Sequence, residues 1–286
     1  MPSARIMSTM TTDDDTPHSP ALDEENQAYV LASRDIDFLA SDALRPVRLQ
    51  LELLKPELYL QRERIHSTIP VFGSSRILPP DVAAAQLAEL EAASASDTAL
   101  ARARKKVASA RYYTEAEKFS ALVAKRFQQN GGQDFVIVTG GGPGIMEAAN
   151  KGASDVGTRS IGFNITLPNE QRPNPYATPA LCFRFRYFAI RKMHFLLRAR
   201  ALVAFPGGYG TLDELFEVLT LVQTGKIARM PVVLIGPDFW NRAIDFDFLV
   251  EEGVLEHSCV ELFEIVETAE QAVDIIAAFH GHAAAK

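Results

Sequence analysis

Two short apolar runs, FVIVT (135–139) and ALVAF (201–205), open directly into glycine turns, GGGPG and PGGYGT, and each turn leads into helical periodicity. A strand without polar alternation is one covered on both faces. Strand, turn and helix in succession form the repeating unit of a parallel sheet, because parallel strands need a crossover that is usually a helix. The pattern recurs. Strands are expected within 69–75, 159–165, 181–185 and 231–236. Helices are expected at 143–156, 187–198, 211–223, 239–252 and 268–279, with another starting at a Thr114/Glu117 capping box and stopping near Gly131 and Gly132. This predicts an α/β fold, a Rossmann-like doubly wound parallel sheet with helices on both faces. Ligands of such sheets bind at the carboxyl ends of the strands, which here carry residues 73–75, 140–144 and 206–211.

Around this core the sequence predicts three additions. Residues 1–24 are polar and acidic around Asp13, Asp14 and Asp15 and read as a disordered tail. Residues 25–66 read as an N-terminal helical extension interrupted by Pro46 and Pro56, leading into a Rossmann-like domain over 67–286. Within that domain, 81–110 is an Ala-rich helical insertion with a break at 94–97. The net charge of -7 disfavours a nucleic-acid partner. No run approaches the ~18 apolar residues of a membrane span. The two cysteines, Cys182 and Cys259, form no CxxC pair, so neither a disulfide framework nor a metal site is expected and a cytoplasmic setting fits.

The first glycine turn has the context of a phosphate cradle, in which glycines bring amide N–H groups close to an anion at a helix start. It lacks the G-x-G-x-x-G spacing of a dinucleotide fold. The strand that follows ends in Gly162-Phe163-Asn164, without the acidic residue that would hold a ribose. No GK[ST] follows, so a Walker loop is absent as well. The second turn brings a carboxylate: PGGYGT is followed by Leu212, Asp213 and Glu214. Glu214 lies off the buried stripe of Leu212, Leu215, Phe216, Leu219 and Val222. Its spacing from Thr211 fits a capping box, and its place beside the loop fits a catalytic carboxylate; spacing alone supports both. In the segment 187–198, Tyr187, Arg191, His194 and Arg198 share one helical stripe, either a solvated face or a basic face reaching toward Glu214. His194 reads first as a structural histidine, and Lys192 as a surface residue.

Together, GGGPGIMEAAN, RKMHF and PGGYGTLDE resemble the LONELY GUY family over about 69–279. The family's members are cytokinin riboside 5'-monophosphate phosphoribohydrolases, its bacterial members are described as AMP nucleosidases, and an old label is lysine decarboxylase. RKMHF departs from the RKAxM of plant-type members, and the chain is more similar to the larger bacterial type. The resemblance implies hydrolysis of the N-glycosidic bond of a nucleoside 5'-monophosphate, AMP or N6-prenylated AMP, without metal or cofactor, by a homodimer or higher homo-oligomer. It implies Arg191 and Glu214 as the catalytic pair. It also implies substrate binding by Gly207, Gly208, Gly210 and Thr211 at the phosphate, with Ser74, Gly141, Gly142 and Gly144 lining the pocket and Lys192 at its edge. Base-contacting side chains are expected from the 166–180 loop or a second subunit. The same fold could instead serve a non-catalytic nucleotide or cofactor carrier, and an amino-acid decarboxylase would need pyridoxal phosphate on a lysine, for which Lys192 is the one candidate in these motifs.

Overall fold

The computed structural model describes residues 27–128, 131–167 and 172–283; the expected tail at 1–24 lies outside these. Seven strands are formed: β1 (Thr68–Phe72), β2 (Val136–Thr139), β3 (Ser160–Ile165), β4 (Cys182–Phe185), β5 (Leu202–Ala204), β6 (Val232–Ile235) and β7 (Glu264–Val266). They make one parallel sheet in the order β4-β3-β2-β1-β5-β6-β7. The chain builds outward from β1 to β4, then returns to the centre, where β5 pairs with the other side of β1 through Val71↔Val203. The order therefore reverses between β1 and β5, and a crevice opens at their carboxyl ends.

The α-helices are α1 (Ile36–Ala40), α2 (Arg45–Arg62), α3 (Pro80–Ala92), α4 (Asp97–Ser109), α5 (Arg111–Phe127), α6 (Ile145–Asp155), α7 (Phe188–Leu197), α8 (Tyr209–Gln223), α9 (Pro237–Ala243), α10 (Phe246–Glu251), α11 (His257–Val260) and α12 (Ala269–Ala283). Successive strand residues point to opposite faces, and the strand side chains feed two cores accordingly. Val136, Val138, Phe163, Leu202 and Ala204 join Phe195 of α7, Leu215 of α8 and Trp240 of α9. Ile69, Val71, Ile137, Val203 and Val233 join Phe119 of α5, Ala148 of α6 and Ile276 of α12. Helices thus cover both faces. No helix among the described residues is long and apolar enough to cross a membrane.

The chain divides into compact units between Gln50 and Leu51, inside α2. Pro56 is buried, and Leu60 and Ile65 belong to the core. Several expectations are corrected. Pro56 lies inside a continuous helix; what its ring removes is the i−4 bond to the Glu52 carbonyl. Thr114 is interior to α5, which begins at Arg111, so no capping box forms there. The segment 239–252 divides into α9 and α10, with Asp245 capping the second through the Phe248 amide. Strand β7 was not anticipated, since at three residues it carries no periodicity to read. The insertion does break where expected: Ser96 caps α4 by accepting from the Ala99 amide.

Candidate functional site

The crevice beside β1 and β5 is a cleft of about 580 Å³. The turn after β1 (Gly73, Ser74, Ser75 and Arg76) forms one wall. Gly208, Tyr209, Gly210 and Thr211 at the start of α8 form another, and Arg191 and Glu214 also line it. Ser74 joins the three chain segments: its N–H donates to the Pro206 carbonyl at 3.0 Å, and its own carbonyl accepts from the Ile145 amide at 3.1 Å.

Helix α8 begins at Tyr209 with Gly208 as its N-cap, two residues before the expected start. Thr211 is therefore inside the helix, no side-chain cap bond forms, and the capping-box reading of Glu214 is overturned. The amides of Thr211 and Leu212 turn back onto the Gly208 carbonyl, each at 3.0 Å. Helix geometry leaves the Tyr209 and Gly210 amides without i−4 carbonyls, at the positive end of the α8 dipole. This is an anion-binding arrangement.

Glu214 follows on the first turns of α8 and is only 6% exposed. Burial pushes its carboxyl up to about 7, against the pull of Lys192 and Arg191 and with a further push from Glu217 and Asp213. Arg191 reaches the cleft from α7. Its Nε donates to the Phe163 carbonyl at 2.6 Å, and its guanidinium lies 5.2 Å from the Phe195 ring centroid. Burial lowers its pKa, and the charge of Glu214 opposes that shift. The close approach of Arg191 requires glycine at 140, where a Cβ would stand 2.5 Å from its Nη2 and 2.8 Å from Met146 Sδ.

The remaining candidates separate from this pair. Gly140 borders the cleft, whereas Gly141, Gly142 and Gly144 do not. Their turn is engaged internally: the Gly141 amide donates to Thr139 Oγ1 at 2.9 Å, and Asn174 donates to the carbonyls of Gly141 and Gly142. Gly144 has φ +70°, and its backbone packs against that of Ser74 and Ser75, so a side chain has no room. The first glycine turn thus has a packing role, with the Gly141 amide and the Gly141 and Gly142 carbonyls engaged within the protein. Gly207 lies behind Thr211, against its side chain. Lys192 lies beside the cleft without lining it, bridging Asp213, which does line it, and Glu217 at 3.0 Å each. His194 is buried, with Nε2 3.3 Å from the Glu52 carbonyl, and it packs against Phe163 and Phe185. Arg198 pairs with both oxygens of Glu57 at 2.6 Å. The basic stripe is therefore neither solvated nor wholly catalytic, since Arg191 alone of its members lines the cleft.

The described part of the 166–180 loop lines a separate cavity of about 430 Å³ at the ends of β3 and β4, with Arg172 and Arg184 in its wall. Arg76, Met146 and Phe188 line the main cleft without having been anticipated. Arg76 follows the small-residue turn directly, and that adjacency was the available signal. Among the described residues, no group of three or more His, Cys, Asp or Glu side chains is placed to share a metal ion.

Strand order and crevice together define a Rossmann-type α/β protein with an open cleft at the sheet's switch point. Residues 146–276 match the family described as possible lysine decarboxylase. The chain is 31% identical over 156 residues to the probable cytokinin riboside 5'-monophosphate phosphoribohydrolase LOG4 of Oryza sativa subsp. japonica, covering 53% of this chain and 66% of that protein. It is 33% identical over 143 residues to the cytokinin riboside 5'-monophosphate phosphoribohydrolase LOG3 of Arabidopsis thaliana, covering 48% and 64%. The matched stretch spans just under two thirds of these relatives' length. Among solved structures, the Moco carrier protein from Chlamydomonas reinhardtii aligns over 76% of this chain and 98% of its own, at 17% identity and a TM-score of 0.46. These similarities agree with the resemblance of the three motifs to the LONELY GUY family.

Proposed function

We propose that the protein hydrolyses the N-glycosidic bond of a nucleoside 5'-monophosphate, AMP or N6-prenylated AMP, releasing free base and ribose 5-phosphate. The observation that carries this reading is the sharing of one cleft by buried Glu214 and Arg191 at the open amides of α8. The 5'-phosphate sits against the Tyr209 and Gly210 amides and the Thr211 hydroxyl, and its binding there positions the sugar. As the C1'–N bond lengthens, positive charge grows on the ribose. Glu214 is one turn further along the helix and faces that charge. Held near neutrality, it is well matched to accept a proton from the attacking water. The water oxygen bonds to C1', and one proton finally resides on the departing base. Lys192 and Arg191 keep the carboxylate available for ionisation at neutral pH by their charges.

Incubating the protein with a panel of nucleoside monophosphates and the matching nucleosides, and assaying free base, tests this directly. Release that requires the 5'-phosphate is expected. Tight nucleotide binding without base release would instead establish the carrier reading. Against the decarboxylase reading, Lys192 does not line the cleft and its ammonium is engaged by Asp213 and Glu217.

Phe188, Met193 and Leu197 on α7 and Tyr209 and Phe216 on α8 leave an exposed apolar face, of which Phe188 and Tyr209 border the cleft. We propose that a second copy of the chain covers it. A monomer by light scattering at micromolar concentration would refute this. A cytoplasmic location completes the proposal.

A further inference from the structure

Helix α7 carries Arg191 but has no cap of its own: Tyr187, at its N-cap, makes no side-chain bond to the first turn. The chain's entry into the helix is fixed instead from α2, far away in sequence, at the two amides that precede Phe188. Glu52 Oε1 accepts from the Arg186 amide at 2.8 Å, and Glu52 Oε2 accepts from the Tyr187 amide at 3.1 Å. A carboxylate at this end also complements the helix dipole. The Glu52 backbone takes part too. Pro56 has no N–H with which to close the helical bond to the Glu52 carbonyl, and that carbonyl lies 3.3 Å from Nε2 of His194 in the middle of α7. At the far end, Glu57 holds Arg198 through two bonds of 2.6 Å. One helix thus ties its neighbour at three points, and Arg191 lies between the first two.

We infer that Glu52 is a positioning residue for the Arg191–Glu214 pair, holding α7 in the register that aims Arg191 into the cleft. This inference rests on the proposed function only for its effect on turnover. The fixed points of Arg191 are the Phe163 carbonyl and the start of α7. Loosening the start lets the guanidinium move while the α8 amides, which hold the phosphate, stay in place. The groups that act on Glu214 are Arg191 and Lys192 from α7 and Asp213 and Glu217 from α8. Moving Arg191 away removes a cation and raises the Glu214 titration point. Deleting the Glu52 charge directly acts in the opposite sense, so an upward movement reports the displaced arginine.

The test uses the full-length protein with Glu52→Gln and Glu52→Ala. The amide can accept one of the two N–H bonds and the methyl none. Two readouts are taken: kcat and KM for the nucleotide, and the titration of the Glu214 carboxyl by carbon-13 NMR. The expected result is a fall in kcat of up to roughly 10²-fold for Glu52→Ala, a smaller fall for Glu52→Gln, KM nearly unchanged, and the titration point rising in the same order. A folded variant whose titration matches the wild type, whether or not kcat falls, overturns the inference. If Glu52→Ala does not fold, Glu52→Gln decides alone by the same criterion. The NMR readout needs no turnover, so an inactive wild type would refute the proposed hydrolase function while leaving the positioning role separately measurable.

Discussion

Replacing Glu214 by glutamine should make the protein more stable and nearly inactive at once, and the two effects have one cause. The carboxyl titrates at about 7 in the fold against an ordinary 4.5. Each pH unit between these values is worth ~1.4 kcal/mol, so the ionised group costs the folded state roughly 3–4 kcal/mol at high pH. The folded pKa is raised, so the protonated fold is unpenalised below the unfolded value near 4.5, and stability is lost as pH rises through about 7. Glu214→Gln cannot ionise and escapes this loss. Denaturant unfolding of wild type and variant at about pH 5 and about pH 8 should therefore show the variant gaining ~2–3 kcal/mol relative to wild type between the two conditions. The comparison across pH cancels whatever the amide changes in packing. Over the same range kcat should fall by about 10²–10⁴-fold in the variant. A stability difference that does not change with pH would refute the buried, near-neutral carboxyl. Near-full activity would refute its catalytic role.

Four further substitutions test the same geometry. Arg191→Lys loses the Nε–H donated to Phe163 and should lower kcat by roughly 10²–10³-fold; unchanged steady-state kinetics would exclude a role for the guanidinium. Gly144→Ala places a methyl against the Ser74 backbone at φ +70° and should cost about 1–3 kcal/mol in denaturant unfolding. Gly208→Ala meets open space and should change stability by less than about 0.5 kcal/mol while raising KM; equal costs at the two positions would contradict the packing role of the first turn. Glu57→Gln should weaken the tie to Arg198 by about 1–3 kcal/mol at neutral pH. Because Arg198 lowers the folded pKa of Glu57, the wild-type advantage is present above about 4.5 and should vanish as pH falls below it, a convergence that the denaturation midpoints would reveal.

The sheet was readable because its strands are unbroken apolar runs and its turns are glycine-rich, which are local properties. Glu214 and Arg191 were readable as candidates because each stands at a fixed offset from such a turn. What separated their roles from those of their neighbours was not local. The register that starts α8 at Tyr209 rather than Thr211 removed the cap reading. The partners of Lys192, His194 and Arg198 come from α2 and α8, and no spacing within RKMHF specifies them. Pro56 misled because a missing N–H normally ends a helix, whereas here the carbonyl it frees is met by a histidine more than a hundred residues away, a compensation visible only in three dimensions. The first glycine turn looked like a cradle because glycine permits both close ligand approach and close packing, and the sequence is identical in the two cases.

The central placement of β1 also governs how the molecule comes into being. Its two flanks are stitched together by Val71 and Val203, on the order of 130 residues apart, a closure of the kind that slows folding. A nascent chain can lay down β1 to β4 as it emerges, yet it has no crevice until β5 docks and α8 follows. Ligand-dependent protection of a growing chain would therefore begin only in the last third of synthesis, and any earlier stall leaves an unzipped edge of β1 exposed to other chains.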